Sequence, residues 1–159
     1  MNFLDIEING TLLKKIIIAS LILICVYMAL TMSSLLIFKT YTLGPNTSVD
    51  DNNKVKTHID LLAVEDKKIE ITGWAYKEGE KIETVNSNFV LKNQDTGKMY
   101  LMRTVMEEND FVEEMGYSHC GLHAQCLKLG LPKGRYQIFV LYKNNDEDIL
   151  SDTLIPFEI

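Results

Sequence analysis

An uncharged apolar run near the N-terminus constrains this chain more than any other feature of its sequence. The run extends from Ile16 to Phe38, with Lys14 and Lys15 before it and Lys39 after it. At about 1.5 Å of rise per residue it forms a helix of roughly 34 Å, whereas the hydrocarbon core of a bilayer is about 30 Å thick. It has no polar stripe with which the helix of a soluble protein would face water. The sequence therefore predicts one transmembrane helix over 16–38.

A cleavable signal peptide is the main alternative for this run. The apolar region of a signal peptide is usually about 7–15 residues long and ends at a small-residue cleavage site. The run is longer than that, and the residues after it, KTYT at 39–42, contain no Ala-x-Ala pattern. We therefore expect an uncleaved signal anchor.

The two ends of the chain predict the orientation of the helix. Lys14 and Lys15 adjoin the membrane on the N-terminal side, which favours a cytoplasmic N-terminus. Residues 1–15 are too few to form a domain, and the part of the chain that is long enough to fold follows the helix. We expect a short cytoplasmic tail at 1–15, a single pass through the plasma membrane and a C-terminal domain outside the cytoplasm.

The net charge of −6 falls on the part of the chain after the helix, because Asp5 and Glu7 balance Lys14 and Lys15 before it. An acidic domain is repelled by the phosphates of nucleic acid. We therefore expect no nucleic-acid partner. The expected partners are the bilayer itself and either a membrane protein or a polysaccharide of the cell envelope.

The region after the helix divides into a predicted stalk and a predicted domain. Residues 39–56 are polar and rich in turn formers, which indicates a flexible stalk. Residues 57–159 alternate short β-like runs with turns. The predicted strands cover 57–64, 68–76, 88–93, 98–105, 119–129, 135–143 and 149–159.

Three local features add to the predicted structure of the domain. Gly73 is predicted to mark a β-bulge, residues 94–97 a hairpin turn, and the acidic segment 107–115 a short helix or turn. About seven short strands without a βαβ rhythm predict an antiparallel β-sandwich.

The segment IEITGWAY at 69–76 resembles the opening v-x-I-x-G-W-A-f of a family of extracytoplasmic modules. These are the Ig-like "GWA" modules of surface and polysaccharide-related membrane proteins in low-GC Gram-positive bacteria. Three later segments fit the same template in order: NDFV at 109–112, CGL at 120–122 and LPKGRYQI at 131–138. The resemblance covers 59–159, with Cys120 where the modules usually have Ser and Leu122 where they have Phe. It implies an Ig-like β-sandwich outside the cell and no catalytic signature.

The spacing of the cysteines favours free thiols over a disulfide. Cys25 lies within the predicted span, and Cys120 and Cys126 lie in the domain. On one extended strand the last two have Cα atoms about 20 Å apart, beyond the limit of about 7 Å for a disulfide. They would pair only if the chain folded back at Gly121. We expect two free, buried thiols.

The cluster His119, Cys120, His123 and Cys126 contains residue types that bind zinc. On a strand, however, the two histidines face one side and the two cysteines the other, so the four side chains do not converge on one ion. We therefore expect Cys120, Leu122, Ala124 and Cys126 to form the inward stripe of a strand, with the histidines outside.

An anchored cysteine-dependent enzyme, such as a sortase-like transpeptidase or a hydrolase, is the alternative to a binding protein. Such an enzyme needs a Cys nucleophile, a His and an Arg. His58, Cys120 and Arg135 occur in a suitable order, but the Thr-Leu-x-Thr-Cys context is absent.

Two further constellations contain suitable residue types without the spacing that their chemistry needs. Ser118, with His119 or His123 and Asp110, lacks a nucleophile elbow. An acidic group lacks the ligand spacing of a calcium loop and is expected to be a solvated face. Its members are Glu107, Glu108, Asp110, Glu113 and Glu114.

Aromatic residues supply the remaining binding hypothesis. Trp74, the single tryptophan, either packs in the core or offers a ligand platform together with Tyr76 and Tyr117. Tyr100, Tyr136 and Tyr142 have the same two interpretations. Within the predicted span, Ala29 and Ser33 form a small-xxx-small pair that would let two helices approach each other.

The sequence as a whole therefore predicts a non-catalytic interaction module on a membrane anchor. We assign no catalytic, cofactor-binding or metal-ligating residue. The predicted binding residues are Trp74, Tyr76 and Tyr117 in the domain and Ala29 and Ser33 in the helix.

Overall fold

The computed structural model describes residues 10–36, 38–80, 86–108, 117, 119–144 and 147–159. The chain divides into two compact units, with the boundary between Leu35 and Leu36. The first unit contains a helix, and the second is built of β-strands.

Helix α1 extends over Gly10–Leu36 and has 27 residues. It is long and apolar enough to cross a membrane, and none of its span is buried in protein. It begins six residues before the predicted start at 16, so Lys14 and Lys15 lie within its first turns. The hydroxyl of Thr31 donates to the carbonyl oxygens of Tyr27 and Met28 at 3.0 and 2.9 Å. This polar group therefore has partners within its own helix.

The β unit contains ten strands among the residues that the structure describes. They are β1 Lys39–Tyr41, β2 Thr47–Val49, β3 Val55–Val64, β4 Lys68–Lys77, β5 Asn88–Asn93, β6 Met99–Leu101, β7 Thr104–Glu107, β8 Gly121–Leu127, β9 Arg135–Asn144 and β10 Glu147–Glu158. Six of them form one sheet in the order β1-β6-β5-β9-β10-β2, and four form a second in the order β3-β4-β8-β7.

The two sheets share one apolar core. Ile71 and Leu122 of the four-stranded sheet and Leu91 and Ile138 of the six-stranded sheet belong to the same cluster of buried side chains. The order β3-β4-β8-β7 is the A-B-E-D order of an immunoglobulin sandwich, and β6-β5-β9-β10 follows its C′-C-F-G order. The predicted Ig-like β-sandwich is confirmed.

A tyrosine corner stabilises the turn that leads into β9. Tyr136 is fully buried, and its hydroxyl donates to the carbonyl oxygen of Pro132 at 2.6 Å. This hydrogen bond, from a tyrosine near the start of strand F back to the chain a few residues upstream, is a hallmark of Ig-type sandwiches. Burial raises the pKa of Tyr136, so the hydroxyl keeps its proton and remains a donor.

Gly73 lies opposite an irregularity in β3. The pairing of β3 with β4 shifts register between Ile59 and Leu61, as the predicted bulge requires. A Cβ atom added to Gly73 would lie 2.1 Å from the carbonyl oxygen of His58 and 3.1 Å from the Cα of Ile59. The close approach of the two strands therefore depends on glycine at this position.

The predicted stalk at 39–56 differs from the structure, in which it contributes strands β1 and β2 and the first two residues of β3 to the domain. β1 pairs with β6 and β2 pairs with β10, at opposite edges of the six-stranded sheet. We call residues 38–50 the N-terminal strap. Composition did not reveal β1 and β2 because each has three residues and is paired mainly through its backbone.

The strap also limits the shape of the six-stranded sheet. Six residue steps from Tyr41 to Thr47 reach roughly 21 Å at most. The edge strands of a flat six-stranded sheet are roughly 24 Å apart. The sheet must therefore twist and curl to bring its edges within reach. Tyr41 packs against a second apolar cluster on the outer face of this sheet, formed by Val90, Phe139, Leu141 and Leu150.

Three other details differ from the predictions. The β2–β10 pair is parallel, so the sandwich is not wholly antiparallel. The run predicted as one strand at 98–105 is divided between β6 and β7, which lie in different sheets. The division occurs at Met102, which is fully buried and donates its backbone N–H to the carbonyl oxygen of Phe89 at 2.9 Å. The predicted helix or turn at 107–115 lies mostly outside the described residues, and Glu107 ends β7.

The carboxylate of Asp50 connects the strap to both sheets. It accepts hydrogen bonds from the backbone N–H groups of Lys54 and Val55, each at 2.9 Å, and from the Ser151 hydroxyl at 3.3 Å. Val55 begins β3 in one sheet, and Ser151 lies in β10 of the other. Burial by itself would raise the pKa of Asp50, but the hydrogen bonds from Val55 and Lys54 outweigh it and lower the pKa.

We expect Asp50→Asn to destabilise the domain by about 2 kcal/mol at pH 7, because an amide N–H₂ group would face one of the backbone donors. Since the pKa is lowered on folding, the stabilisation is complete above the unfolded value of roughly 4 and is lost as the pH falls through the folded value. Urea unfolding between pH 7 and pH 2.5 should therefore show the variant and the wild type converging in acid. Asp51→Asn, at the exposed neighbouring residue, is the control. A stability difference that does not change with pH would refute this role.

Candidate functional site

The outer face of the four-stranded sheet carries the side chains that the sequence predicts to bind a ligand. We call outer the face that points away from the six-stranded sheet. Along β4 the side chains that alternate with the buried Ile69 and Ile71 point to this face, and they include Trp74 and Tyr76. Trp74 is half-buried and lies outside the main core cluster.

Four rings on this face form one continuous stack, which we call the aromatic row. His58 stacks on Trp74 with ring centroids 5.5 Å apart, Trp74 on Tyr76 at 5.6 Å, and Tyr76 on Tyr117 at 4.5 Å. The structure therefore brings Trp74, Tyr76 and Tyr117 together. His58 was not predicted as a member from the sequence, because its place depends on the pairing of His58 with Trp74 across β3 and β4.

The geometry of the row determines what it can bind. Neighbouring rings are inclined by only 24–30°, so each inner ring has its faces covered by its neighbours. A sugar stacks on an exposed ring face, and the two inner rings, Trp74 and Tyr76, are covered on both faces by their neighbours. Such a row is better suited to packing against the side chains of a protein partner, as aromatic residues do in interface cores.

One end of the row is held by hydrogen bonds. The hydroxyl of Tyr117 accepts the backbone N–H of Gly79 at 2.7 Å, and the carbonyl oxygen of Tyr117 accepts the Cys120 thiol at 3.0 Å. Tyr76 is 7% exposed. Burial and then the negative charge of Glu78 raise the pKa of Tyr76, so its ring remains neutral.

A polar group lies on the same face beside the row. Nδ1 of His123 is 3.2 Å from a carboxylate oxygen of Glu107, and its Nε2 is 3.4 Å from a carboxylate oxygen of Glu70. Lys68 lies 3.4 Å from the other oxygen of Glu70. The two ring nitrogens of His123 thus face different carboxylates, so the group does not converge on one point. Among the described residues, no group of three or more His, Cys, Asp or Glu is arranged to hold a metal ion.

Apolar side chains complete the face. Val105 on β7 is 57% exposed and Leu61 on β3 is 45% exposed. They lie at the two edge strands of the sheet, on either side of Thr72 and His123. The face therefore combines an aromatic row, a charged group and two exposed aliphatic side chains.

All three cysteines are free; Cys120 and Cys126 in the domain are buried, whereas Cys25 in helix α1 is exposed. Leu122, Ala124 and Cys126 belong to the main core cluster, as the inward stripe predicted. Cys120 differs from that prediction, because it packs with Tyr76 in a separate cluster. The reason is its position before β8, where its thiol donates to the carbonyl of Tyr117. His119 lies outside, with its Nε2 3.6 Å from a carboxylate oxygen of Glu108.

The residues of the sortase-like hypothesis do not form a site. His58 stacks on Trp74, at the end of the row opposite Tyr117. Arg135 lies in the other sheet, with its guanidinium 3.0 Å from a carboxylate oxygen of Asp95. Burial raises the pKa of the Cys120 thiol to about 11 and also raises that of Cys126. Neither thiol has the low pKa of a nucleophile.

We expect both domain thiols to resist alkylation in the folded protein. A pKa of about 11 for Cys120 lowers its thiolate fraction about 100-fold relative to an ordinary cysteine. Iodoacetamide at pH 7.5, followed by mass spectrometry, should modify Cys120 and Cys126 only when urea is present. Rapid native modification of either cysteine would instead support the enzyme hypothesis.

The other sequence hypotheses fall partly or wholly outside the described residues. The Ser118–Asp110 combination, Glu113 and Glu114 lie there, whereas Glu107 and Glu108 are exposed. In the helix Ala29 is exposed, and the contact that we predicted for it and Ser33 remains a prediction.

Comparisons with known proteins identify no relative of this chain. No family model matches the chain, and neither a curated protein nor a solved structure matches it.

Proposed function

We propose that this chain is a single-pass membrane protein whose β-sandwich acts outside the cytoplasm as a non-catalytic binding module. The N-terminus lies in the cytoplasm, and the membrane is the plasma membrane. The module serves either as a subunit of a membrane complex or as a binder of envelope polysaccharide. We also propose its kinship with the "GWA" modules, on the segments IEITGWAY at 69–76 and LPKGRYQI at 131–138.

The aromatic row is the observation that carries this proposal. Four stacked rings lie beside exposed aliphatic residues on the outer face of one sheet. The exposed side chains of this face are His58, Leu61 and Val105, and they lie beside the half-buried Trp74 and Tyr117. Exposed apolar side chains grouped on one face of a small domain are typical of an interaction surface. The burial of both domain thiols favours binding over cysteine-dependent catalysis.

A pull-down from native membranes in mild detergent tests the proposal. The full-length protein should recover a stoichiometric membrane partner, or else the domain 38–159 should be retained on purified cell wall. Val105→Lys changes an exposed residue of the proposed face and should reduce partner recovery at least tenfold. Leu129→Lys changes a residue of a turn that is also exposed, at 65%, and serves as the control. If the full-length protein recovers no partner and the domain is not retained on cell wall, a binding function is rejected.

A further inference from the structure

Two cross-strand lines of residues run over the outer face of the four-stranded sheet, each with one residue from every strand. The pairings between neighbouring strands define both lines. The first line consists of His58, Trp74, Gly121 and Glu107. The second line consists of Leu61, Thr72, His123 and Val105. The ends of each line lie on the edge strands β3 and β7, and its two middle residues lie on β4 and β8.

The two ends of each line have complementary chemistry. Leu61 and Val105, the ends of the second line, are both apolar and exposed. The first line has an imidazole at one end, His58, and a carboxylate at the other, Glu107, and an imidazole can donate to a carboxylate. Oε1 of Glu107 faces His123 at 3.2 Å, and its other oxygen can accept a further hydrogen bond. One end of either line is therefore a suitable contact for the opposite end of the same line in a second copy.

A two-fold axis parallel to the strands, midway between β4 and β8, brings these ends together. Rotation about such an axis exchanges the two sides of the sheet and moves nothing along the strands. It places β3 of one copy over β7 of the other, so that Leu61 meets Val105 and His58 meets Glu107. Each contact occurs twice, as an isologous interface requires. The strands of the two sheets are aligned, which is a common way for sheets to pack face to face.

The charge of this face permits two copies to approach each other. The net charge of −6 lies on the part of the chain after the helix, and it opposes self-association in most orientations. Among the strand residues of the outer face, two lysines and three carboxylates leave a net charge of only −1 when the histidines are neutral. These residues are Lys56, Lys68, Asp60, Glu70 and Glu107.

The size of the face determines how strong such a contact is. The strands β3, β4, β7 and β8 have 10, 10, 4 and 7 residues. At about 3.3 Å of rise and 4.8 Å between strands they cover about 500 Å². Two copies therefore bury about 1,000 Å², the lower limit for a specific interface. Copies anchored in one membrane have already lost part of the freedom that association costs, so we expect the contact there and not between dilute domains.

We propose that the outer face of the four-stranded sheet binds a second copy of this chain about a two-fold axis parallel to its strands. The proposal rests on the proposed binding function and names the partner of the face that carries the aromatic row. Trp74 lies in the first line beside His58, so the aromatic rows of both copies lie at this interface.

Crosslinking of the full-length chain in its membrane tests this arrangement. Leu61→Cys and Val105→Cys are placed in separate, differently tagged copies that also carry Cys25→Ser, and the two copies are co-expressed. Facing sheets are about 10 Å apart, which is too far for a disulfide but suits a short bismaleimide. The reagent should join the two tags, with little background from the buried Cys120 and Cys126.

Each variant expressed alone is the first control. In the proposed dimer the two copies of residue 61 lie above opposite edges of the sheet, three strand spacings or about 14 Å apart sideways. The same holds for residue 105. Either variant alone should therefore give at least tenfold less crosslinked dimer than the mixed pair.

Leu154→Cys, co-expressed with Val105→Cys, is the second control. Leu154 is 79% exposed and lies in β10 of the other sheet. This pair should also give at least tenfold less product than the Leu61→Cys and Val105→Cys pair. An equal yield would show that the reagent reports only crowding in the membrane, and it would overturn the proposal.

The remaining outcomes separate this proposal from the proposed function. Efficient crosslinking of Leu61→Cys alone would place β3 against β3 and overturn the two-fold arrangement. Absence of every crosslink would overturn it as well. If the mixed product is absent and the pull-down recovers another membrane protein, the dimer is rejected and the binding function stands. If the mixed product is absent and the pull-down also fails, both proposals are rejected.

Discussion

A domain that begins at Val55 will be less stable than one that begins at Phe38, by on the order of 4 kcal/mol. The deletion removes β1 and β2 from opposite edges of the six-stranded sheet. It also removes the buried side chain of Phe38, worth about 2 kcal/mol, and the Asp50 carboxylate that connects the two sheets. Small domains have total stabilities of about 5–15 kcal/mol. The shortened domain should therefore be close to unfolding at room temperature.

Urea unfolding followed by the fluorescence of Trp74, the single tryptophan, measures this effect. The domain 38–159 is the reference, because it lacks the helix but keeps the strap. Pro45→Ala, at an exposed residue of the strap, is the control and should change stability by less than about 0.5 kcal/mol. Equal stability of the two domains would show that 38–54 is a linker after all, as the composition of 39–56 predicts.

Gly73→Ala is expected to cost about 3 kcal/mol and to lower the melting temperature of the domain by roughly 10 °C. The added Cβ would lie 2.1 Å from the carbonyl oxygen of His58, a backbone atom that cannot rotate away. The smaller conformational entropy of alanine in the unfolded chain offsets less than about 1 kcal/mol of this cost. Because His58 stacks on Trp74, the displaced bulge should also change the fluorescence of the folded state.

Thr72→Ala is the matched control for this substitution. Thr72 is the neighbouring residue of β4, and it is half-buried. Its loss should cost less than about 1 kcal/mol and leave the tryptophan spectrum unchanged. If Gly73→Ala were as mild as Thr72→Ala, the backbone of β3 would have to yield at the bulge, and the close approach would not be a constraint.

The parts of the fold in which apolar residues form a run or recur at regular spacing were predicted well from the sequence. The apolar run produced a helix, and alternation in 135–143 produced β9. Gly73 marked a bulge because only glycine leaves room for a neighbouring strand. Burial of Cys126 followed from the same alternation, since Leu122 and Ala124 lie on its side of β8.

The missed features depend on pairings between distant residues. β1 and β2 have three residues each, too few for a period, and their partners β6 and β10 lie far along the chain. The division between β6 and β7 reflects a change of sheet at Met102, which a continuous apolar run does not reveal.

In the candidate site, too, some residues could be grouped from the local sequence, and others are brought together only by the pairing of strands. Trp74 and Tyr76 share a face by alternation and could be grouped from sequence. His58 joined them only through the register of β3 on β4.

The central claim is that α1 crosses the membrane with the β-sandwich outside, and cysteine labelling in intact cells tests it most directly. Leu129→Cys places a thiol in a turn where the native side chain is 65% exposed, and Asn2→Cys places one before the helix. The native Cys120 and Cys126 are buried and give little background. A membrane-impermeant maleimide should label Leu129→Cys in intact cells and Asn2→Cys only after permeabilisation. Labelling of Asn2→Cys alone in intact cells, or of neither residue until the cells are opened, would contradict the account.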